Sequence, residues 1–239
     1  HLSIRRQRQM CIRDSMITDR LPLDMCTALT RGLPSLEDTL LSAVPIADLG
    51  MPTLVLRNGD ENYVGQFRLR ADRNVAHLTF LAPDPTGGDP RDWAALLEGI
   101  AVETGKRGAH LINAEVDQTH PIFRAFRLAG FVVYSRQVIM RRLPGIASEG
   151  DSQLLRPAED RDAIAISVLQ NNTVPRLLQQ AEEPQPAPDC QGYVHERDGQ
   201  LAAYLAVSQG KSGVVIKPYF HPEAYDQASA IILLSLIHI

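Results

Sequence analysis

Residues 84–116 read DPTGGDPRDWAALLEGIAVETGKRGAHLINAEV, and this run decides the fold. Asp89 is a good helix N-cap, and Pro90 stands at the first helical position, where the missing N–H costs nothing. Trp93, Leu96, Leu97, Ile100 and Ala101 then repeat at helical spacing and make the clearest amphipathic helix of the chain. Gly105 and Gly108 release it, and AHLINAEV (109–116) reads as a strand.

Working outward toward the C-terminus, Ile122, Phe126 and Ala129 form one apolar stripe with Phe123 beside it, which predicts a short helix over 120–129. Gly130 can take positive φ and close that helix, with apolar Phe131 next to it. Val132, Val133, Tyr134, Val138 and Ile139 favour a strand. Toward the N-terminus, TLVLR (53–57), NYVGQFRLR (62–70) and VAHLTFLAP (75–83) read as strands. Asn58-Gly59-Asp60-Glu61 and Ala71-Asp72-Arg73-Asn74 are the turns between them, so the strands form an antiparallel meander. A helix opened by Ser35 and ended by Pro45 precedes it. The order is helix, three strands, helix, strand, helix, strand.

PGIASEGDSQ (144–153) has the composition of a linker. Beyond it, LLRPAEDRDAIAISVLQ gives a strand-like start and then a helix with Ile164, Val168 and Leu169 on its apolar side. Residues 190–220 read as three strands with turns at Arg197-Asp198-Gly199 and Gln209-Gly210-Lys211, and HPEAYDQASAIILL (221–234) starts a helix. The second half thus repeats the first and stops early. The expected organisation is a first domain over 16–143, a linker at 144–153 and a truncated second domain over 154–233. The ends differ from the rest. HLSIRRQRQMCIRDS (1–15) resembles sequencing-adapter read-through, as does LSLIHI at the C-terminus. Residues 1–15 and 234–239 are therefore expected to be non-biological tails, and residues 1–15 to make few contacts with the core.

The 239 residues carry 44% hydrophobic and 22% charged side chains, as an ordinary globular protein does. A net charge of −4 gives no basic field for nucleic acid. Cys11, Cys26 and Cys190 lie far apart, which suits a reducing cytoplasm and offers no disulfide framework or metal spacing. No apolar run is as long as the roughly 18 residues that a membrane helix needs.

The ordered set, with Ala129-Gly130-Phe131 after a short helix and Arg156-Pro157 opening the second half, resembles the GNAT superfamily of N-acetyltransferases. The likeness covers 53–143 well, 154–233 moderately and 16–52 loosely. It implies an α+β fold: a mixed sheet flanked by helices, one copy near complete and a second partial. It also implies acyl-CoA-dependent acetylation of an unidentified small-molecule or peptide amine. Acetyl-CoA would lie in a splay between strands 75–83 and 109–116, with its pyrophosphate at the following helix N-terminus, where free N–H groups and the helix dipole favour an anion. Carried onto this sequence, the cofactor contacts are Leu81, Pro83, Thr86, Gly87, Gly88 and Arg91.

The loop departs from the family run. Thr86 stands where Arg or Gln is expected, Asp89 brings a carboxylate and Pro90 removes a donor, with Arg91 as the offsetting cation. Asp89-Pro90 also reads simply as a capped helix start. In the second copy PYFHPEAYDQ has no glycine, and Glu223 and Asp226 again put negative charge at a helix start. Amine acetylation needs a base. His77 is the one titratable side chain inside 75–82 and shares a face with Val75, Thr79 and Leu81 by strict alternation. Glu115 is a second candidate base or a plain surface charge. Where the family has an acidic tyrosine, Phe126 stands instead, and Tyr134 does not replace it. The catalytic residues are therefore unassigned. The alternative is a non-catalytic domain of this fold, a binding or packing module with a degenerate cofactor loop.

Overall fold

The computed structural model describes residues 3–6, 20–32, 51–69, 74–141, 155–187 and 190–235, with the side chains of 3–6, 234 and 235 excepted. The expected helix over 35–44, the 144–153 linker and residues 236–239 lie outside them. The chain divides into two compact units, His1–Ala28 with Gly32–Val133 and Leu29–Arg31 with Tyr134–Ile239. The division falls ahead of the stretch read as a linker.

The first unit contains strands β1 (Ser3–Arg6), β2 (Leu21–Pro22), β3 (Thr53–Asn58), β4 (Glu61–Leu69), β5 (Val75–Ala82) and β6 (Leu111–Asn113). Helix α1 (Met25–Arg31) follows β2, α2 (Pro90–Lys106) follows β5, and α3 (Phe123–Leu128) follows β6. The sheet runs β1-β3-β4-β5-β2, with β6 also paired to β5. The three strands of the meander form, and Gly59 has φ +61 between β3 and β4; the turn expected at 71–74 lies, apart from Asn74, outside the described residues. Helix α2 lays Trp93, Leu96, Leu97 and Ile100 on the sheet, where they meet Leu54, Leu56, Phe67, Ala76, Leu78 and Leu81 in one core. Each of these large side chains contributes roughly 1.5–3 kcal/mol by leaving water. Gly65 lets β4 lie close under α2: a Cβ there would be 2.6 Å from Ile100 Cδ1.

Helix α3 ends as its sequence requires. The Phe131 N–H donates to Phe126 O and the Gly130 N–H to Arg127 O, with Gly130 at φ +85. This is a Schellman cap, and the Phe126 and Phe131 rings meet edge to face at 5.0 Å. The strand expected over 132–139 is corrected. The backbone there pairs with no strand of the described residues, and Val132, Val138 and Met140 are exposed. β propensity alone makes no ladder without an edge alongside. Within the stretch expected to make few contacts, Ser3–Arg6 pairs antiparallel with β3 from Ser3↔Arg57 to Arg6↔Leu54. An open strand edge offers N–H and C=O groups to any extended backbone, whatever its side chains.

The second unit has β7 (Arg156–Pro157), α4 (Ala163–Thr173), α5 (Arg176–Ala181), β8 (Gln191–Arg197), β9 (Gln200–Gln209), β10 (Val214–Phe220) and α6 (Ala228–Ser235). Its sheet runs β10-β9-β8-β7. The order matches β5-β4-β3-β1 of the first unit, and Asp198-Gly199 makes the expected tight turn with positive φ at both residues. Arg156 donates through both terminal nitrogens to Asp162, at 2.6 and 2.9 Å, and Asp162 also takes the Glu159 N–H. This capped turn sets the rotation of α4, which buries Ile166, Leu169 and Gln170. Ile164 and Val168, expected on the buried side, face water instead. The helix is apolar on two sides, so periodicity does not choose between them.

Candidate functional site

The site begins with one extra residue. Across β4 and β5, Gln66 faces Phe80 while Phe67 faces Leu78, so Thr79 is unmatched and forms a bulge. Its hydroxyl lies 3.1 Å from both Gln66 O and Gln66 Oε1. The bulge breaks the alternation that the sequence suggests. Ala76, Leu78 and Leu81 face the α2 core, whereas Phe80 and Ala82 join Val55 and Val64 on the opposite side. Thr79 and Leu81 therefore do not share one uninterrupted face.

A bulge also bends its strand, and β5 leaves β6 here. The two are parallel neighbours over Val75↔Leu111, Ala76↔Ile112 and His77↔Asn113. Two residues further on, the same register would set Thr79 beside Glu115. Instead the chain's own Leu23 lies between them. Its N–H donates to Thr79 O at 2.9 Å, and its carbonyl accepts from the Glu115 N–H at 2.9 Å. Beyond it, β2 pairs with β5 through Leu21↔Leu81 and Pro22↔Phe80. The Glu115 carboxylate then accepts from the Met25 N–H at 2.8 Å, at the start of α1. Asp24 caps the same helix from the Thr27 N–H at 3.0 Å and pairs with Arg68 at 3.4 Å. Glu115 is thus engaged in holding α1.

Past β5 the chain turns through Asp84–Asp89 into α2. Thr86, Gly87 and Gly88 are exposed, and Pro83 is half-buried. Leu81 is fully buried in the core rather than open to the wedge. Asp89 caps α2 by accepting from the Arg91 N–H at 2.9 Å. The Arg91 guanidinium folds back onto the same carboxylate, Nη2 to Oδ2 at 2.6 Å. These bonds pull the Asp89 carboxyl down to about 2. The cation expected to meet a phosphate is therefore turned toward its own neighbour.

Sequence reading missed Tyr63, which brings two further carboxylates to this helix end. Its hydroxyl donates to Glu61 and lies 3.2 Å from Asp92 Oδ2, while Asn58 Nδ2 donates to Asp92 Oδ1 at 3.0 Å. Burial, with Glu61 and Asp92 beside it, pushes the phenol above its usual range. The Tyr63 ring meets Trp93 edge to face at 4.8 Å, below Gly88. The available signal was the alternation of β4, which puts Tyr63 on the inner face with Gly65 and Phe67. Its reach to Asp92 depends on how α2 lies on the sheet.

The remaining candidates are dispersed. His77 is half-buried on β5, across from Arg68 and beside Asn113. Phe126 is packed in the core and brings no hydroxyl. In the second unit, β10 pairs with β9 in unbroken register from Val214↔Gln209 to Phe220↔Ala203. The bulge there falls one strand earlier, where His195 faces Ala203 and Glu196 faces Leu201. No counterpart of Thr79 bends β10. Arg197 braces the following turn, donating to Glu223 O at 2.8 Å and lying 3.6 Å from Asp226. Among the described residues no group of His, Cys, Asp and Glu is placed to hold a metal ion, and no helix is long and apolar enough to cross a membrane.

The residues present fit acetyl-CoA poorly as they stand. The wedge between β5 and β6 is filled by a peptide of the same chain. The Arg91 and Asp92 amides of the helix N-terminus are already bonded to Asp89. Asp89, Asp92 and Glu61 supply negative charge where a pyrophosphate would need the opposite.

No family model and no curated protein matches the chain. Solved structures do. A tandem GNAT protein from the clavulanic acid biosynthesis pathway, determined without AcCoA, aligns over 99% of this chain and 84% of its own at 14% identity, with a TM-score of 0.43. An acetyltransferase of Trypanosoma brucei aligns over 59% of this chain and 100% of its own at 16% identity, with a TM-score of 0.36.

Proposed function

We propose that this chain is an acetyltransferase-fold protein that transfers an acetyl group from acetyl-CoA to an unidentified small-molecule or peptide amine, with the first unit as the cofactor-binding one. The observation that carries the reading is the parting of β5 from β6 at the Thr79 bulge, with α2 beginning just past the end of β5. That combination leaves a slot for an extended chain between two strands and sets a helix N-terminus at its mouth. The second unit has the matching strand order without the matching bulge, which supports its reading as a partial copy that does not bind the cofactor.

A specific observation favours the second reading, a non-catalytic module of the same fold. The slot is filled and the helix N-terminus is acidic. Calorimetric titration of the native chain and of Asp89→Asn with CoA tests both. Asparagine keeps the N-cap, removes the charge and releases Arg91. Asp89 is partly exposed and already paired, so the expected gain is modest, roughly two- to five-fold in affinity over weak native binding. Tight native binding unchanged by the substitution refutes the placement of the phosphates at Thr86–Gly88. Absence of binding by either form favours the non-catalytic module.

A further inference from the structure

We propose that Leu21–Asp24 is a displaceable strand that closes the β5–β6 wedge from within, so that the wedge admits an extended ligand only when this strand leaves. Leu23 has the position of a ligand rather than of a sheet neighbour. Its peptide stands between Thr79 and Glu115, which the β5–β6 register would otherwise bring together, and it satisfies the open acceptor of one and the open donor of the other. A linear molecule with an amide in its chain can make the same two bonds, donating to Thr79 O and accepting from the Glu115 N–H. The proposal rests on the acetyl-transfer reading for the identity of that ligand, the pantetheine arm of acetyl-CoA, and not for its mechanics.

The strand is held lightly for its position. β2 is 2 residues long against 9 in β4 and 8 in β5. One of the two is Pro22, which has no N–H to give the ladder. Further fastenings sit at its ends, among them Arg20 over the Phe80 ring at 5.2 Å, Asp24 paired with a partly exposed Arg68, and the exposed Glu115 carboxylate that caps α1. Burial of Leu23 opposes release, and it is what keeps the wedge closed in the absence of a competitor. Short elements tied by few bonds open locally without global unfolding.

Amide exchange on the full chain tests the mechanics. The Leu23 and Glu115 amides are expected to exchange at least about tenfold faster than those of the β4–β5 ladder. A cross-strand disulfide made by Pro22→Cys with Phe80→Cys joins two facing positions, and oxidation is expected to slow both amides to the ladder rate, with reduction restoring them. If that variant does not fold, Glu115→Gln, which weakens an exposed cap, is expected to speed Leu23 exchange. Leu23 exchange at the ladder rate in the native chain overturns the proposal, whatever CoA does. CoA titration of the disulfide variant separates the two readings. Binding to the reduced form alone supports the closing strand. Equal binding to both forms overturns it and leaves acetyl transfer standing. Fast Leu23 exchange with no CoA binding to the reduced form supports the displaceable strand and refutes acetyl-CoA as its competitor.

Discussion

Gly65 is where a single added atom should be felt. It sits in the middle of β4, opposite Leu54 on β3 and Leu81 on β5. A Cβ there would lie 2.6 Å from Ile100 Cδ1, 3.2 Å from Leu81 Cδ2 and 3.4 Å from Leu96 Cδ2. Carbon atoms rest at about 3.5–4.0 Å, so the first contact is too short by roughly an ångström. The obstructing atom is the end of a flexible side chain, which rotates at some cost because Ile100 is fully buried. Overpacking of this kind costs about 1–3 kcal/mol, and replacing glycine within a strand returns about 0.5–1 kcal/mol. Gly65→Ala is therefore expected to destabilise the first unit by about 0.5–2 kcal/mol. The sole tryptophan, Trp93, is buried in that unit, so its fluorescence in urea reports the unit directly. Ile100→Val removes the obstructing Cδ1 and should cost about 1 kcal/mol alone. Combined with Gly65→Ala it should recover part of the loss, a favourable coupling of about 1 kcal/mol. A stabilised Gly65→Ala chain, or a coupling indistinguishable from zero, refutes the close approach of α2 to β4.

The second unit should show an acid-sensitive turn. Arg156 and the Glu159 amide hold the Asp162 carboxyl at about 2 against an ordinary 3.8. Because the folded value is depressed, this stability is fully present above about pH 4 and is lost as pH falls through about 2. Asp162→Asn should destabilise the second unit at pH 7 by about 1–2 kcal/mol, read from urea unfolding, and flatten the pH dependence between these limits. At the end of α3, Gly130→Ala forces a side chain onto φ +85 and should cost about 1 kcal/mol, read as a lower thermal midpoint, whereas Gly105→Ala inside α2, where nothing lies within 4 Å of the added atom, should not lower it.

What the sequence made legible is what its local chemistry controls. Asn58-Gly59, Asp198-Gly199 and Gly130 each mark a turn or cap whose backbone conformation few residues tolerate, and each is found where expected. Helix α2 was legible because its cap and its stripe agree. What escaped depends on pairings between distant residues. The Thr79 bulge is a mismatch of counts between two strands and leaves no mark on either alone. Leu21–Leu23 are too short a run to read as a strand, and their place is fixed by the gap that the bulge opens. Ser3–Arg6 pairs by backbone, so its odd composition says nothing against it. The carboxylates around Tyr63 were visible as residues but not as a cluster, since Glu61 lies on a strand and Asp92 on a helix far along the chain.

The Schellman cap at Gly130 also has a colloidal side. By turning the chain out of α3 it delivers a run of unladdered backbone bearing Val132, Val138, Ile139 and Met140, more than half exposed each. Such a run combines hydrogen-bonding capacity with an apolar surface, the two ingredients of edge-to-edge association. Arg136 and Arg141 lie within it and act as gatekeepers, keeping like runs apart by charge at low ionic strength. Salt weakens that repulsion while sulfate and phosphate strengthen apolar contact, so the choice of buffer salt bears on the concentration at which this chain stays dispersed.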